Sequence, residues 1–137
     1  SIILPNGMRL YYTNMRRDYM PVPGNPDQKR GQWVFDYGRE KKYTFGGKMT
    51  ENVVQALARI ITMNAAVRVR KIVGKREKWA RPLAGQIHDQ LIYVVPVEIA
   101  QDFLAVVIEE MSRRLDWFES LPLAAEGGIG NNLLEVK

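Results

Sequence analysis

The feature that most constrains this chain is a change of hydrophobic period near residue 50. Before it, short apolar and aromatic runs alternate with turn residues; after it, apolar residues recur at three- and four-residue spacing. Strands repeat every two residues and helices every 3.6, so such a chain must build both. The expected fold class is α+β, an antiparallel β-sheet with packed helices.

In the first part, Ile2 to Leu4 and Met8 to Tyr12 flank Pro5-Asn6-Gly7. Asn-Gly between apolar runs is a strong hairpin signal. Residues 13–31 are rich in Pro, Gly, Asn, Asp and Arg and read as an irregular loop. Trp33 to Tyr37 and Lys42 to Phe45, around Gly38-Arg39-Glu40, read as a second hairpin, so residues 1–45 amount to hairpins and a loop. Gly46-Gly47 is expected to break the chain. Thr50 then caps a helix that begins at Glu51 and ends near residues 66–69. Its apolar stripe is Val54, Leu57, Ala58, Ile61 and Ala65, and its opposite side carries Glu51, Asn52, Gln55 and Arg59. Simple solvation also explains that polar set.

Two apolar runs, residues 81–87 and 91–95, lie on either side of His88-Asp89-Gln90. The second is β-branched and aromatic, and Pro96 ends it. A tight hairpin places His88 and Asp89 at or beside its tip. Residues 98–117 form a second helix with Ala100, Phe103, Leu104, Val107, Met111 and Leu115 as its stripe. Leu121 to Ala125 is a short closing strand, and residues 126–137 are an irregular tail.

Composition excludes several function classes. Hydrophobic residues make up 46%, enough for a packed core, yet no apolar run approaches the roughly 20 residues of a membrane span. Ser1-Ile2-Ile3-Leu4-Pro5 does not read as a signal peptide. The absence of cysteine rules out disulfides and thiolate zinc sites, and fits a cytoplasmic protein. With one histidine, a zinc site built from several His is impossible. Gly46-Gly47-Lys48 lacks the spacing of a phosphate-cradling loop.

The net charge is +5, and residues 66–81 concentrate Arg68, Arg70, Lys71, Lys75, Arg76, Lys78 and Arg81 against Glu77 alone. Such a run can neutralise phosphates or simply be a solvated face. Asp89 is the carboxylate of most interest. A hairpin tip is a rigid mount for a metal ligand, and Mg²⁺ often takes only one or two protein carboxylates plus phosphate oxygens. The other reading is a turn Asp that bonds its own backbone.

Gln86-Ile87-His88-Asp89-Gln90-Leu91-Ile92 resembles motif C of family A DNA polymerases, the DNA polymerase I family, usually Gln-Val-His-Asp-Glu followed by apolar residues. The stretch from Gly46 to Arg59 looks like the helix before motif C in phage members. Leu4 to Tyr12 is similar to the strand pair that follows the fingers, and Leu121 to Gly128 resembles the closing strand. The four matches stand in the family's order and cover nearly the whole chain.

The resemblance implies the C-terminal part of a polymerase palm. Asp89 would be a catalytic carboxylate that binds Mg²⁺, and His88 would lie near the primer 3′ end. Gln55 would reach the minor groove of the primer–template duplex. Glu51 or Asn52 would sit one helical turn before it, and Arg59 one turn after. Minor-groove acceptors occur at every base pair, which suits sequence-independent binding.

Gln90 stands where the family usually has Glu; it can accept a hydrogen bond or offer a neutral oxygen to a metal, but it carries no charge. Motif A, which supplies the other metal-binding Asp, has no counterpart here, nor have the fingers and thumb. The implied partners are therefore a DNA duplex, a dNTP and an upstream polymerase segment carrying motif A and the fingers. That segment would complete the two-metal site, and this chain alone would not polymerise. The alternative is a palm remnant that binds nucleic acid without catalysis. A phage-type protein would act in the host cytoplasm.

Overall fold

The structure is a computed structural model; it describes residues 1–76, 79 and 83–136, with the side chains of residues 20–22 and 26 left aside. The order is β1 (Ile2–Ile3), β2 (Arg9–Leu10), β3 (Thr13–Val22), β4 (Asn25–Tyr37), β5 (Glu40–Thr44), α1 (Gly46–Val73), β6 (Leu83–Ile87), β7 (Gln90–Tyr93), one turn of 3-10 helix (Val97–Ile99) and α2 (Ala100–Ser112). The class is α+β, as expected. Among the described residues the expected single sheet is instead three small antiparallel sheets: β1–β2, β3–β4–β5 and β6–β7. The chain divides into two compact units, Ser1–Leu57 and Ala58–Lys137.

In the first unit, Asn6 and Gly7 close the β1–β2 hairpin. Gly7 takes a φ of +83°, and Asn6 Oδ1 accepts the Met8 N–H at 3.1 Å. The side chain thus supplies the bond that makes Asn-Gly a turn former.

The loop expected over residues 13–31 is not there. β3 and β4 pair from Thr13↔Asp36 to Val22↔Asn25, and Pro23-Gly24 closes the ribbon with Gly24 at φ +83°. Pro presets one turn position and Gly supplies the positive φ of the next. The turn residues mark one tight turn rather than a long loop. The strands escape a hydrophobicity reading because most of their side chains are exposed. Without a buried face there is no apolar alternation to detect. β5 adds to β4 through Trp33↔Thr44 to Tyr37↔Glu40, with Gly38 at φ +62° in the turn. Val34 is fully buried, and Tyr12 meets Phe35 edge to face at 5.1 Å between centroids.

Gly46 and Gly47 do not break the chain; they begin α1, whose first bond runs from Met49 N–H to Phe45 O at 3.0 Å. A Cβ on Gly47 would lie 3.0 Å from the Phe45 ring, so glycine admits that side chain. Thr50 is not the cap. It lies inside the helix, and its hydroxyl donates to Gly46 O at 3.0 Å. The helix also outlasts its expected end, because Ala65, Ala66, Val69 and Val73 continue a buried stripe. Val54, expected on the core stripe, is 57% exposed.

The second unit is built on Val69 and Val73 of α1 with Phe103 and Val107 of α2, flanked by Trp79, Tyr93, Val95, Ile99 and Met111. Tyr93 meets Phe103 edge to face at 5.0 Å. The expected stripe of α2 is largely buried. The helix itself stops at Ser112, and Leu115 is buried beyond it in a bridge to Phe118.

An acid interrupts the stripe. Glu110 is buried, and Arg68 of α1 donates to its Oε2 and to its backbone carbonyl, each at 2.6 Å. One guanidinium therefore satisfies a buried carboxylate and a carbonyl in the last turn of α2.

The closing strand expected over residues 121–125 is absent: the segment is irregular. It has no strand partner, and Pro122 has no N–H to give one. Just beyond it, a Cβ on Gly127 would lie 2.7 Å from Leu104 Cδ1, so the tail packs against α2 rather than joining a sheet. No described helix is long and apolar enough to cross a membrane.

Candidate functional site

Strands β6 and β7 pair through Leu83↔Tyr93, Gly85↔Ile92, Gln86↔Leu91 and Ile87↔Gln90. That register leaves His88 and Asp89 as a two-residue turn, the hairpin tip expected from sequence. Arg81 and Pro82 of the first run lie outside the described residues. Two-residue hairpins need positive φ in the turn, normally met by Asn or Gly. His88 meets it instead, at φ +51°. Gln86 Nε2 donates to His88 O at 3.1 Å and holds the turn from the strand side.

His88, Asp89 and Gln90 are all exposed. Asp89 projects a hard oxygen donor into solvent, the type Mg²⁺ prefers. The Gln90 amide oxygen stands next to it in sequence as a neutral donor. One carboxylate suits a cation that keeps waters and shares phosphate oxygens. It is too little for a pair of ions, which needs carboxylates from a second segment.

The helix residues implied by the resemblance divide between the units. In the first, Glu51 pairs with Lys48 at 3.0 Å, and Gln55 Nε2 donates to Glu51 Oε1 at 3.5 Å. These two therefore share one exposed face of α1. Asn52 is half-buried and donates to the Tyr12 hydroxyl at 3.1 Å. It borders an open cleft of about 410 Å³, together with Arg9, Tyr11, Tyr37 and other residues. Its amide has an internal partner, so its first role is to tie α1 to the β-hairpin region of its unit. In the second unit, Arg59 is exposed on α1, and His88, Asp89 and Gln90 come together in the β6–β7 turn.

The basic run over residues 66–81 is less uniform than its composition suggests. Arg68 is committed to Glu110, and the Arg76 guanidinium lies 4.3 Å from the Trp79 ring centroid. Arg70, Lys71 and Lys75 are exposed. Lys78 and Arg81 lie outside the described residues.

Two features were missed from sequence. One is the Arg68–Glu110 pair, whose signal is Glu110 itself, an acid three residues after Val107 on an apolar stripe. The other is the β3–β4 ribbon, on which Arg17 lies 5.4 Å from the Trp33 ring centroid. Its signal was Pro23-Gly24 between two segments of comparable length.

Comparison with known proteins adds no assignment: no protein-family model, curated protein or solved structure matches this chain.

Proposed function

We propose that this chain is the C-terminal palm segment of a family A, phage-type DNA polymerase, and that Asp89 is one of its metal-binding carboxylates. The observation that carries the reading is the β6–β7 turn. It holds the His-Asp pair of the motif C-like segment at the tip of a paired hairpin, exposed, with His88 at positive φ. A histidine in that conformation is less stable than Gly or Asn there, and such local strain concentrates at functional positions.

In this reading, Asp89 offers a carboxylate oxygen to Mg²⁺, and Gln90 an amide oxygen beside it. Mg²⁺, when bound, would stabilise the attacking and leaving oxygens of nucleotidyl transfer. His88 lies against the primer end, and Gln55, backed by Glu51, reaches the minor groove of the duplex. Asn52, held by Tyr12, fixes the helix on which Gln55 stands. Arg59 and the exposed cations at 70, 71 and 75 attract phosphate. A second segment supplies motif A, the fingers and the dNTP site.

The second reading is a palm remnant that binds nucleic acid without catalysis. Gln90 favours it, since the usual glutamate charge is missing there.

Reconstitution separates the two. The chain is mixed with an upstream segment of a phage family A polymerase, and Mg²⁺-dependent primer extension is measured. The polymerase reading expects extension that falls at least a hundredfold in Asp89→Asn. Extension that survives Asp89→Asn removes the metal role of Asp89. Duplex binding without any extension supports the remnant.

A further inference from the structure

The two faces of the β3–β4 ribbon differ in what they carry. Directly paired residues of an antiparallel sheet point to the same side. Arg16↔Val34 and Asp18↔Gln32 define one face; Arg17↔Trp33 and Tyr19↔Gly31 define the other. On the first face Arg16 meets Asp36 at 3.0 Å and Lys41 meets Asp18 at 2.8 Å, while Arg30 has no carboxylate partner among the described residues.

The second face is built differently. Arg17 stacks on Trp33, and Lys29 follows at the alternating position beyond Gly31. Among the described residues, neither Arg17 nor Lys29 pairs with a carboxylate. Tyr19 lies across its strand partner: a Cβ on Gly31 would be 3.3 Å from Tyr19 Cε1 and 3.9 Å from Arg17 Cδ. Glycine at 31 thus lets the ring and the arginine stem lie flat on the strand. Both aromatics stay open to solvent, Tyr19 at 60% and Trp33 at 41%.

Trp33 and Tyr19 lie among cations that have no anionic partner among the described residues, in a unit with nine basic and five acidic residues over positions 1–57. We infer that this face, formed by Arg17, Tyr19, Lys29 and Trp33, binds single-stranded nucleic acid. Bases stack on Trp33 and Tyr19, and the backbone phosphates lie against Arg17 and Lys29. A duplex hides its base faces, so open aromatic rings favour a single strand. The inference does not depend on Asp89 or on the polymerase reading.

The test uses the full chain with a fluorescein-labelled oligothymidylate of about 15 nucleotides, followed by anisotropy in moderate salt. Circular dichroism and melting check that each variant is folded. We expect Arg17→Ala and Tyr19→Ala each to weaken binding roughly tenfold, and Trp33→Ala by the same or more. Trp33→Phe should retain most of the affinity. Arg30→Ala, an equal loss of charge on the opposite face, should change it less than threefold. If Trp33→Ala unfolds, Tyr19→Ala and Arg17→Ala decide. Equal losses in Arg30→Ala and Arg17→Ala would mean diffuse charge attraction and overturn the inference. Tighter binding of the matching duplex than of the single strand would overturn it too, as would wild-type affinity in Tyr19→Ala. None of these results bears on Asp89, which the primer-extension test addresses separately.

Discussion

His88 occupies a backbone position, φ +51°, that a side chain with a Cβ adopts at a cost of about 1 kcal/mol or more. Replacing it by glycine removes that strain but frees the unfolded chain, so the gains partly cancel. We expect His88→Gly to raise stability by up to about 1 kcal/mol, read as a small rise in melting temperature. On the proposed function, the same variant should also lower primer extension in the reconstitution assay. A stability gain with unchanged extension would leave His88 as a turn residue only. Arg68 is the opposite case, a side chain whose value lies in what it leaves behind. Glu110 is 9% exposed at its side chain and Arg68 26%, so Arg68→Ala would strand a nearly buried carboxylate with only Arg113, 3.8 Å away, to compensate. Breaking a buried pair from one side typically costs about 3–5 kcal/mol, and the partial exposure of Arg68 brings the expected loss to about 2–3 kcal/mol. Urea denaturation measures it. A loss below about 0.5 kcal/mol would show that water screens the pair as it does at a surface.

Among the elements, the three-stranded sheet carries a testable pH dependence. Lys41 bonds Asp18 and holds its carboxyl below the ordinary value of 3.8. Asn14 and Arg16 do the same for Asp36. Because the folded state binds these protons less readily, the unfolded chain protonates first as acid is added. The stabilising contribution is therefore present above pH 3.8 and is lost as the pH falls through the lowered values. Carboxyl-carbon NMR of Asp18 should show a midpoint below 3.8, and Lys41→Met should return it toward that value. A midpoint unaffected by Lys41→Met would mean that the bond is not populated in solution. The elements also differ in how well the sequence announces them. The β1–β2, β4–β5 and β6–β7 hairpins were legible because Gly7, Gly38 and the His88-Asp89 pair sit between apolar runs. Helix α2 was legible because Ala100, Phe103 and Val107 keep their spacing. Strand β3 and the first half of β4 were not, since exposed strands carry no alternation. The start of α1 was misread because Gly46 and Gly47 look like breakers; in a first turn, though, their N–H groups have no helical partner to lose.

Across the whole molecule, the +5 charge should appear as salt-sensitive binding to nucleic acid. For a single strand, each neutralised phosphate contributes about 0.7 to the slope of log affinity against log salt. Lys29→Ala should therefore reduce that slope by about 0.7 in the oligothymidylate titration. A slope near zero for the wild type would remove phosphate contact from both the ribbon and the exposed cations of α1. The candidate site was partly legible at this scale. The place of Asp89 at a hairpin tip followed from the β-branched run after it. The α+β class, most turns, the second helix and the His-Asp hairpin tip were legible in the sequence, because local period and turn chemistry act within a few residues. Which polar groups are already engaged depends on long-range packing. Arg68 and Glu110 are 42 positions apart and Asn52 and Tyr12 are 40 apart, yet each pair is hydrogen-bonded. The division into three separate sheets and the two unlike faces of the ribbon were decided the same way. Hydrogen bonds and burial depend on which distant segments meet, and no local pattern encodes that.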